Sequence, residues 1–235
     1  WVFKELWQKD LIYQDYKVLP YSWAASTPLS NFEANMDYRD VEDPSIYFTL
    51  NAREDFNSVK KGDKFLVWTT TPWCIPGNLA IAIGKDIEYS RVGLNDEFYW
   101  IASQRLAELE EFDIELISSC YGSELIGSSY IPAYNEYENL YSDGAFRLIH
   151  SDDTNTDSGS GLVSQAPAYG ETDFYALKNS GIDVIADPVT LSGKFDETFK
   201  ELQGLNVKDA DVVIMDQLNE RGNLFSKKTE MHSYP

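Results

Sequence analysis

The chain has 235 residues, 43% hydrophobic and 14% aromatic, enough for a sizeable core in one large domain or two small ones. Charged residues at 25% argue against wholesale disorder, and no apolar run approaches the roughly 20 residues of a membrane helix. With 39 acids against 19 bases the formal charge is −20, which speaks against an autonomous grip on duplex nucleic acid through a basic face.

Residues 1–10 read as a short helix end with apolar residues at helical spacing. Residues 11–20, aromatic and β-branched, read as a strand, as do 45–50, 64–70, 79–83 and 89–92. A Pro-rich bend runs from Pro72 to Pro76, with Gly77 behind it. Residues 103–112 read as a helix capped by Ser103, and 121–144 as loop and short strand. A strand at 146–150 precedes a polar, turn-forming run at 152–161 and a second bend at 162–167. Helices are expected at 171–179, ended by Gly181, and at 208–221, closed by Gly222, with a last strand at 224–232. Short strands with a few helices between them, and no regular β-α-β alternation, point to an α+β fold: a β-barrel core decorated by helices. The chain starts inside one apparent helix and stops after His232-Ser233-Tyr234-Pro235, so its ends are expected to be cut points in a larger protein.

Cys74 and Cys120 lie far apart and outside any C-x-x-C pair, so neither a disulfide framework nor a zinc knuckle is expected. With no charged-then-apolar leader, the expected setting is a reducing cytoplasm. His150 and His232 are isolated, and no metal site is expected. Nucleophile elbows, Walker loops and dinucleotide fingerprints have no match.

Two segments could carry chemistry. In Trp68-Thr69-Thr70-Thr71-Pro72-Trp73-Cys74, three successive threonines alternate faces if extended, so hydroxyls point into a core or a cleft and could hold a water or a carbonyl oxygen. The same residues also read as a β-branched strand end before a turn, and composition alone favours that reading. In the segment from Gly159 to Phe174, Asp173 lies near a helix start. There it either complements the helix dipole or binds a substrate ammonium through a charge-assisted hydrogen bond. The residues alone leave both open.

Together these segments resemble the editing (connective-peptide) domain inserted in class I isoleucyl-tRNA synthetases. The Thr-Thr-Thr-Pro-Trp strand with Asn78-Leu79-Ala80 after it is one signature, and the stretch through Gly159, Gly161, Ala166-Pro167, Gly170 and Asp173 is the other. Residues 18–22, 27–33, 40–45, 207–211 and 232–235 fit the same family in order and spacing. Thr71 and Trp73 match the isoleucyl branch, where the valyl and leucyl relatives usually carry Arg after two threonines.

The resemblance implies a single editing domain over residues 1–235, with 11–22 and 224–235 as strand stalks to the catalytic domain of the same polypeptide. It implies hydrolysis of mischarged valyl-tRNA(Ile), with valyl-adenylate as a further substrate, because one methylene gives only about 1–3 kcal/mol of discrimination and a second sieve is needed. On that pattern Thr69, Thr70 and Asp173 are the catalytic set. Thr71, Trp73, Ser164, Ala166 and Tyr169 bind the aminoacyl group, while Gly159, Ser160 and Gly161 receive the 3′ adenosine. No general base is implied, the family relying on ordered water and a ribose hydroxyl. The domain itself needs no cofactor, ATP and magnesium serving the parent enzyme. The expected partners are the tRNA(Ile) 3′ end and aminoacyl-adenosine analogues, and no membrane.

Two positions depart from the pattern. Ser164 stands where the family usually has His, whose ring helps exclude isoleucine, and Cys74 replaces a usual Thr. The first motivates an alternative, an impaired module that binds the tRNA 3′ end or stabilises the parent; a threonyl-tRNA editing domain of valyl type is a further alternative.

Overall fold

A computed structural model describes residues 1–36 and 38–234, with the backbone only at His232 and Tyr234; Asp37 and Pro235 lie outside the described residues. Helix α1 (Val2–Gln8) and two short paired strands, β1 (Tyr21–Ser22) and β2 (Thr27–Pro28), come first. Then follow β3 (Arg39–Asn51), β4 (Lys64–Thr69), a 3₁₀ turn (Pro72–Gly77), β5 (Ala80–Ile83), β6 (Glu88–Leu94), β7 (Glu97–Ala102) and β8 (Glu115–Tyr121). A single-turn helix α2 (Gly122–Leu125), β9 (Arg147–His150), β10 (Val163–Gln165), α3 (Glu171–Asn179), α4 (Val207–Glu220) and β11 (Leu224–Tyr234) complete the chain.

Nine strands form one mixed sheet, curled into a half-barrel, in the order β8-β6-β7-β4-β10-β5-β9, with β3 on β4 and β11 on β3. The α+β, barrel-like class expected from the sequence is the one observed. β4 is the hub. It pairs antiparallel with β3 along its whole length, parallel with β7 at Lys64 and Phe65, and parallel with β10 at Trp68 alone. Its period-2 alternation serves two cores. Phe65 and Val67 join the main cluster with Phe48, Ile81, Trp100, Tyr130 and Ile214, while Leu66 packs on the opposite face with Tyr47, Val92, Tyr99 and Ile101.

A buried carboxylate fixes the start of β4. Asp63 accepts from Arg91 Nε and Nη2 at 2.8 and 2.7 Å, from Trp100 Nε1 at 3.0 Å and from Lys60 N at 3.0 Å. Both oxygens are satisfied by a bidentate guanidinium, the arrangement that makes a buried charge tolerable.

Three expectations need correction. Residues 11–20 form no strand, so the stalk expected over 11–22 is a strand only in β1, at Tyr21–Ser22. Tyr13 and Tyr16 are exposed and have no neighbouring strand to pair with, and β-rich composition without a ladder partner does not make a strand. The strand that pairs with β11 is β3, in register from Tyr47 with Ser226 to Arg39 with Tyr234, beyond a bulge that separates Ser226 from the Leu224–Phe48 pair. Its first residues, Arg39 to Glu42, leave the body as an exposed two-stranded ribbon with the end of β11. Residues 224–234 form the strand β11, Pro235 being outside the described residues. At 103–112 a 3₁₀ turn (Ser103–Leu109) replaces the expected helix, and its cap position is Ala102. The Ser103 hydroxyl is instead 2.8 Å from that of Ser90.

Candidate functional site

β4 and β10 share one paired position, Trp68 with Val163. Beyond it each strand turns away, and an open cavity of ≈ 290 Å³ lies between them. It is lined by Trp68, Thr69, Thr70, Thr71, Trp73 and Cys74 from the first segment and by Val163, Ser164, Ala166, Tyr169, Gly170 and Asp173 from the second. Every residue expected to act on the aminoacyl group or in catalysis is therefore in one cavity, although the two segments are about a hundred positions apart in sequence.

The threonine wall is built from the strand end outward. Thr69 is buried, and its Oγ1 accepts from Thr71 N at 3.2 Å and lies 3.3 Å from Thr71 Oγ1. This local side-chain bond turns the chain out of the strand before Pro72 starts the next turn. Thr70 is half-buried, and among the described residues its hydroxyl has no hydrogen-bond partner. It is a donor and acceptor left over for a ligand. Cys74 lines the same side; burial pushes its thiol far up, with Asp173 and Asp211 adding to the effect, so it stays a neutral thiol.

The opposite wall hangs on the first turn of α3. The Asp173 carboxylate folds back over the helix start, accepting from Ala166 N at 2.8 Å and from Thr172 Oγ1 at 3.3 Å. Gly170 makes this possible: a Cβ there would lie 2.6 Å from Asp173 Cγ. Burial raises the Asp173 pKa above the usual carboxylate value, against the pull of these hydrogen bonds. Among the described residues no lysine or arginine pairs with it. A largely buried acid on a cavity wall, without a protein cation, is where a ligand ammonium would be stabilised most.

Trp73 and Tyr169 both line the cavity and are in contact with each other, ring centroids 4.8 Å apart. The Tyr169 hydroxyl donates to Asp187 Oδ1 at 3.2 Å, and burial, then Asp187, pushes the phenol well up. Ser164 stands in β10 opposite Ile81 of β5. Its Oγ accepts from Asn78 Nδ2 at 2.9 Å, and since that nitrogen also donates to Ala80 O at 2.8 Å, the Ser164 proton is left to donate elsewhere.

Gly159, Ser160 and Gly161 do not line the cavity. Gly159 has φ +67°, and a Cβ on it would sit 2.7 Å from the Trp68 ring; one on Gly161 would sit 2.5 Å from Ala102 Cβ. These glycines are explained by close packing on the protein itself. Ser160 is fully buried and turns its hydroxyl to Leu162. The loop supports Trp68 from behind, and Arg105 Nε holds it through Gly159 O at 2.8 Å.

Two residues of the site were not singled out from the sequence for it. Asn78 orients Ser164, and Asp211 of α4 accepts from Trp73 N at 2.8 Å. Both act over 86 positions or more, and no local pattern announces such a bond. Among the described residues no group of three or more His, Cys, Asp or Glu side chains is placed to hold a metal ion, and no helix is long and apolar enough to cross a membrane.

The family model for class I tRNA synthetases (I, L, M and V) matches residues 1–226. Isoleucine–tRNA ligase of Bdellovibrio bacteriovorus is 42% identical over 241 residues, covering 100% of this chain and 22% of that protein. The corresponding enzyme of Rickettsia prowazekii is 40% identical over 255 residues, covering 100% and 23%. That of Tetrahymena thermophila is 37% identical over 243 residues, covering 100% and 22%. The chain thus spans less than a quarter of the length of these relatives. Among solved structures, GlLeuRS-CP1 superposes with a TM-score of 0.59 at 14% identity, over 78% of this chain and 98% of that one. The editing domain of the P. knowlesi cytosolic leucyl-tRNA synthetase gives 0.57 at 8%, over 78% and 95%. These two show a shared fold.

Proposed function

Because the chain belongs to the class I tRNA synthetases (I, L, M and V), we propose that it is the editing unit of an isoleucyl-type enzyme, hydrolysing the ester of valyl-tRNA(Ile). One observation carries this: Thr69, Thr70 and Thr71 line a single cavity together with the Asp173 acid, which no lysine or arginine pairs among the described residues. Asp173 holds the α-ammonium of the aminoacyl group, which fixes the direction of the ester carbonyl. Thr69 and Thr70 hold the attacking water and the terminal ribose. Thr71, Trp73, Ser164, Ala166 and Tyr169 enclose the side chain. Water adds to the carbonyl carbon, the acyl–oxygen bond breaks, and the proton ends on the ribose oxygen. The products are the free amino acid and uncharged tRNA. Gly159, Ser160 and Gly161 serve the adenosine indirectly, by fixing Trp68.

The cavity's size, at the small end for ligand pockets, suits one aminoacyl group and part of a ribose. The charge of −20 suits a unit that meets only a single-stranded 3′ end while the rest of the polypeptide, its catalytic domain included, holds the tRNA. Valyl-adenylate and aminoacyl-adenosine analogues present the same ammonium and carbonyl. The chain itself uses no cofactor, and the setting is the cytoplasm.

The decisive assay compares valyl-tRNA(Ile) deacylation by the full-length enzyme with and without Asp173→Ala. Equal, slow rates in both would leave a module that binds the 3′ end without hydrolysing it, the alternative that Ser164 favours. Rates for valine, threonine and isoleucine esters separate isoleucyl-type from valyl-type editing. Ser164→His is expected to keep valine release and lower any cleavage of isoleucyl-tRNA; an unchanged isoleucine rate would remove Ser164 from the sieve.

A further inference from the structure

The turn carrying Trp73 begins Thr71-Pro72-Trp73. The first N–H groups of a helical turn find no partner inside it. Pro72 has none to satisfy, and Cys74 N donates to Thr71 O at 3.0 Å. The orphan is Trp73 N–H, and Asp211 Oδ1 takes it from 138 positions away at 2.8 Å. Asp211 is 4% exposed, on the face of α4 that packs against this turn. One turn earlier on the helix, Lys208 Nζ reaches Asp43 Oδ1 at 2.7 Å. Asp43 is itself buried, paired with Glu230 at the position where the exposed ribbon enters the body.

Any oxygen acceptor in this place, charged or neutral, would satisfy the one backbone N–H. Burial lifts the Asp211 pKa to about 6, with Lys208 pulling it down and Asp43 pushing it up. The Cys74 thiol lies in the same field. What the bond holds still is the backbone under Trp73, and Trp73 with its partner Tyr169 is a wall of the cavity.

We propose that Asp211 is a positioning residue of the pocket: through Trp73 N–H it fixes the Trp73–Tyr169 wall and so sets which amino-acid side chain is admitted. The part concerning side-chain choice rests on the editing function proposed above; the part concerning the wall does not. Two variants separate the roles. Asp211→Asn keeps an oxygen acceptor in the same place, and Asp211→Ala removes it.

Amide hydrogen exchange of the 235-residue chain reads the wall directly. Asp211→Ala is expected to speed exchange at Trp73 by at least about tenfold while leaving Phe65 and Val67 protected, and Asp211→Asn to restore protection. In the full-length enzyme, Asp211→Ala is expected to raise KM for valyl-tRNA more than it lowers kcat and to reduce the valine-over-isoleucine ratio. Asp211→Asn is expected to recover both. Unchanged Trp73 exchange in Asp211→Ala, or no rescue by Asn in a folded protein, overturns the proposal. If the wild-type enzyme cleaves no aminoacyl ester, the editing function and the side-chain choice fall together, while Trp73 exchange alone decides whether Asp211 holds the wall.

Discussion

The strand β4 starts beside a buried carboxylate and ends beside a half-buried one, and the two are treated differently. At its start Asp63 accepts from both Arg91 nitrogens, from Trp100 Nε1 and from Lys60 N. At its end Asp173 accepts from Ala166 N and Thr172 Oγ1 and meets no lysine or arginine among the described residues. A buried acid saturated with donors and a cation belongs to the scaffold, since nothing remains for a ligand to satisfy. One held in place by a backbone N–H but short of positive charge is stabilised further when a cation arrives. The same residue type on the same strand's two flanks is structural at one end and available at the other. The neighbours make the difference, and sequence position does not.

The largest effect that would break this contrast is at the saturated end. Asp63→Ala strands Arg91 and is expected to cost about 3–5 kcal/mol of stability, seen as a lower urea midpoint. In the folded enzyme it should leave the KM for aminoacyl-tRNA unchanged. At the other end, Asp173→Asn is expected to lower deacylation by about ten- to a hundredfold, the worth of a charge-assisted bond of about 1.5–3 kcal/mol, without a loss of stability.

The pH dependence sharpens the second case. Because the folded-state pKa of Asp173 lies above its unfolded value, the group favours folding while protonated and that contribution is lost as pH rises through the folded pKa. Deacylation runs the opposite way, appearing as the carboxyl ionises and can hold an ammonium. Asp211 shifts in the same direction, so the test is the difference between wild type and Asp173→Asn, in which both slopes should flatten. The smallest expected effect is at Thr70, whose hydroxyl has no hydrogen-bond partner among the described residues. Thr70→Ala is expected to slow deacylation by a few-fold to about tenfold, one neutral hydrogen bond of about 0.5–1.5 kcal/mol, with no shift in the urea midpoint.

Strong local signals were legible in the sequence. The helix at 171–179, the strands around 45–50 and 64–70, and the terminal strand all carry their own pattern and appear where expected. Of the hairpin of β6 and β7 only the first strand was expected, at 89–92, and the return strand did not announce itself. The turn is Asn95-Asp96, both with positive φ, and without a glycine the usual hairpin signal is weak. β8 hides for another reason: as the sheet's edge strand it exposes Leu116 and Ile117, so its apolar residues mark no buried face. In the site, the residues that line the cavity were named through the family resemblance that two segments carry together. Asn78 and Asp211 act through long-range bonds to Ser164 and Trp73, and only the fold brings them within reach. The glycines at 159 and 161 read as room for a nucleoside, whereas the space is filled by Trp68 and Ala102.

The ribbon of β3 and β11 has one further consequence. Antiparallel strands advance about 3.4 Å per residue, and two-stranded ribbons twist more than wide sheets. The exposed stretch from Arg39 to Glu42, paired with Met231 to Tyr234, is therefore a ruler and a screw at once. Removing one matched pair from both strands would draw the cavity in by about 3.4 Å and rotate it about the ribbon axis. Removing a residue from one strand alone would slip the register and turn every side chain beyond it to the other face. The reach of the cavity can change only in whole steps, each tied to an angle.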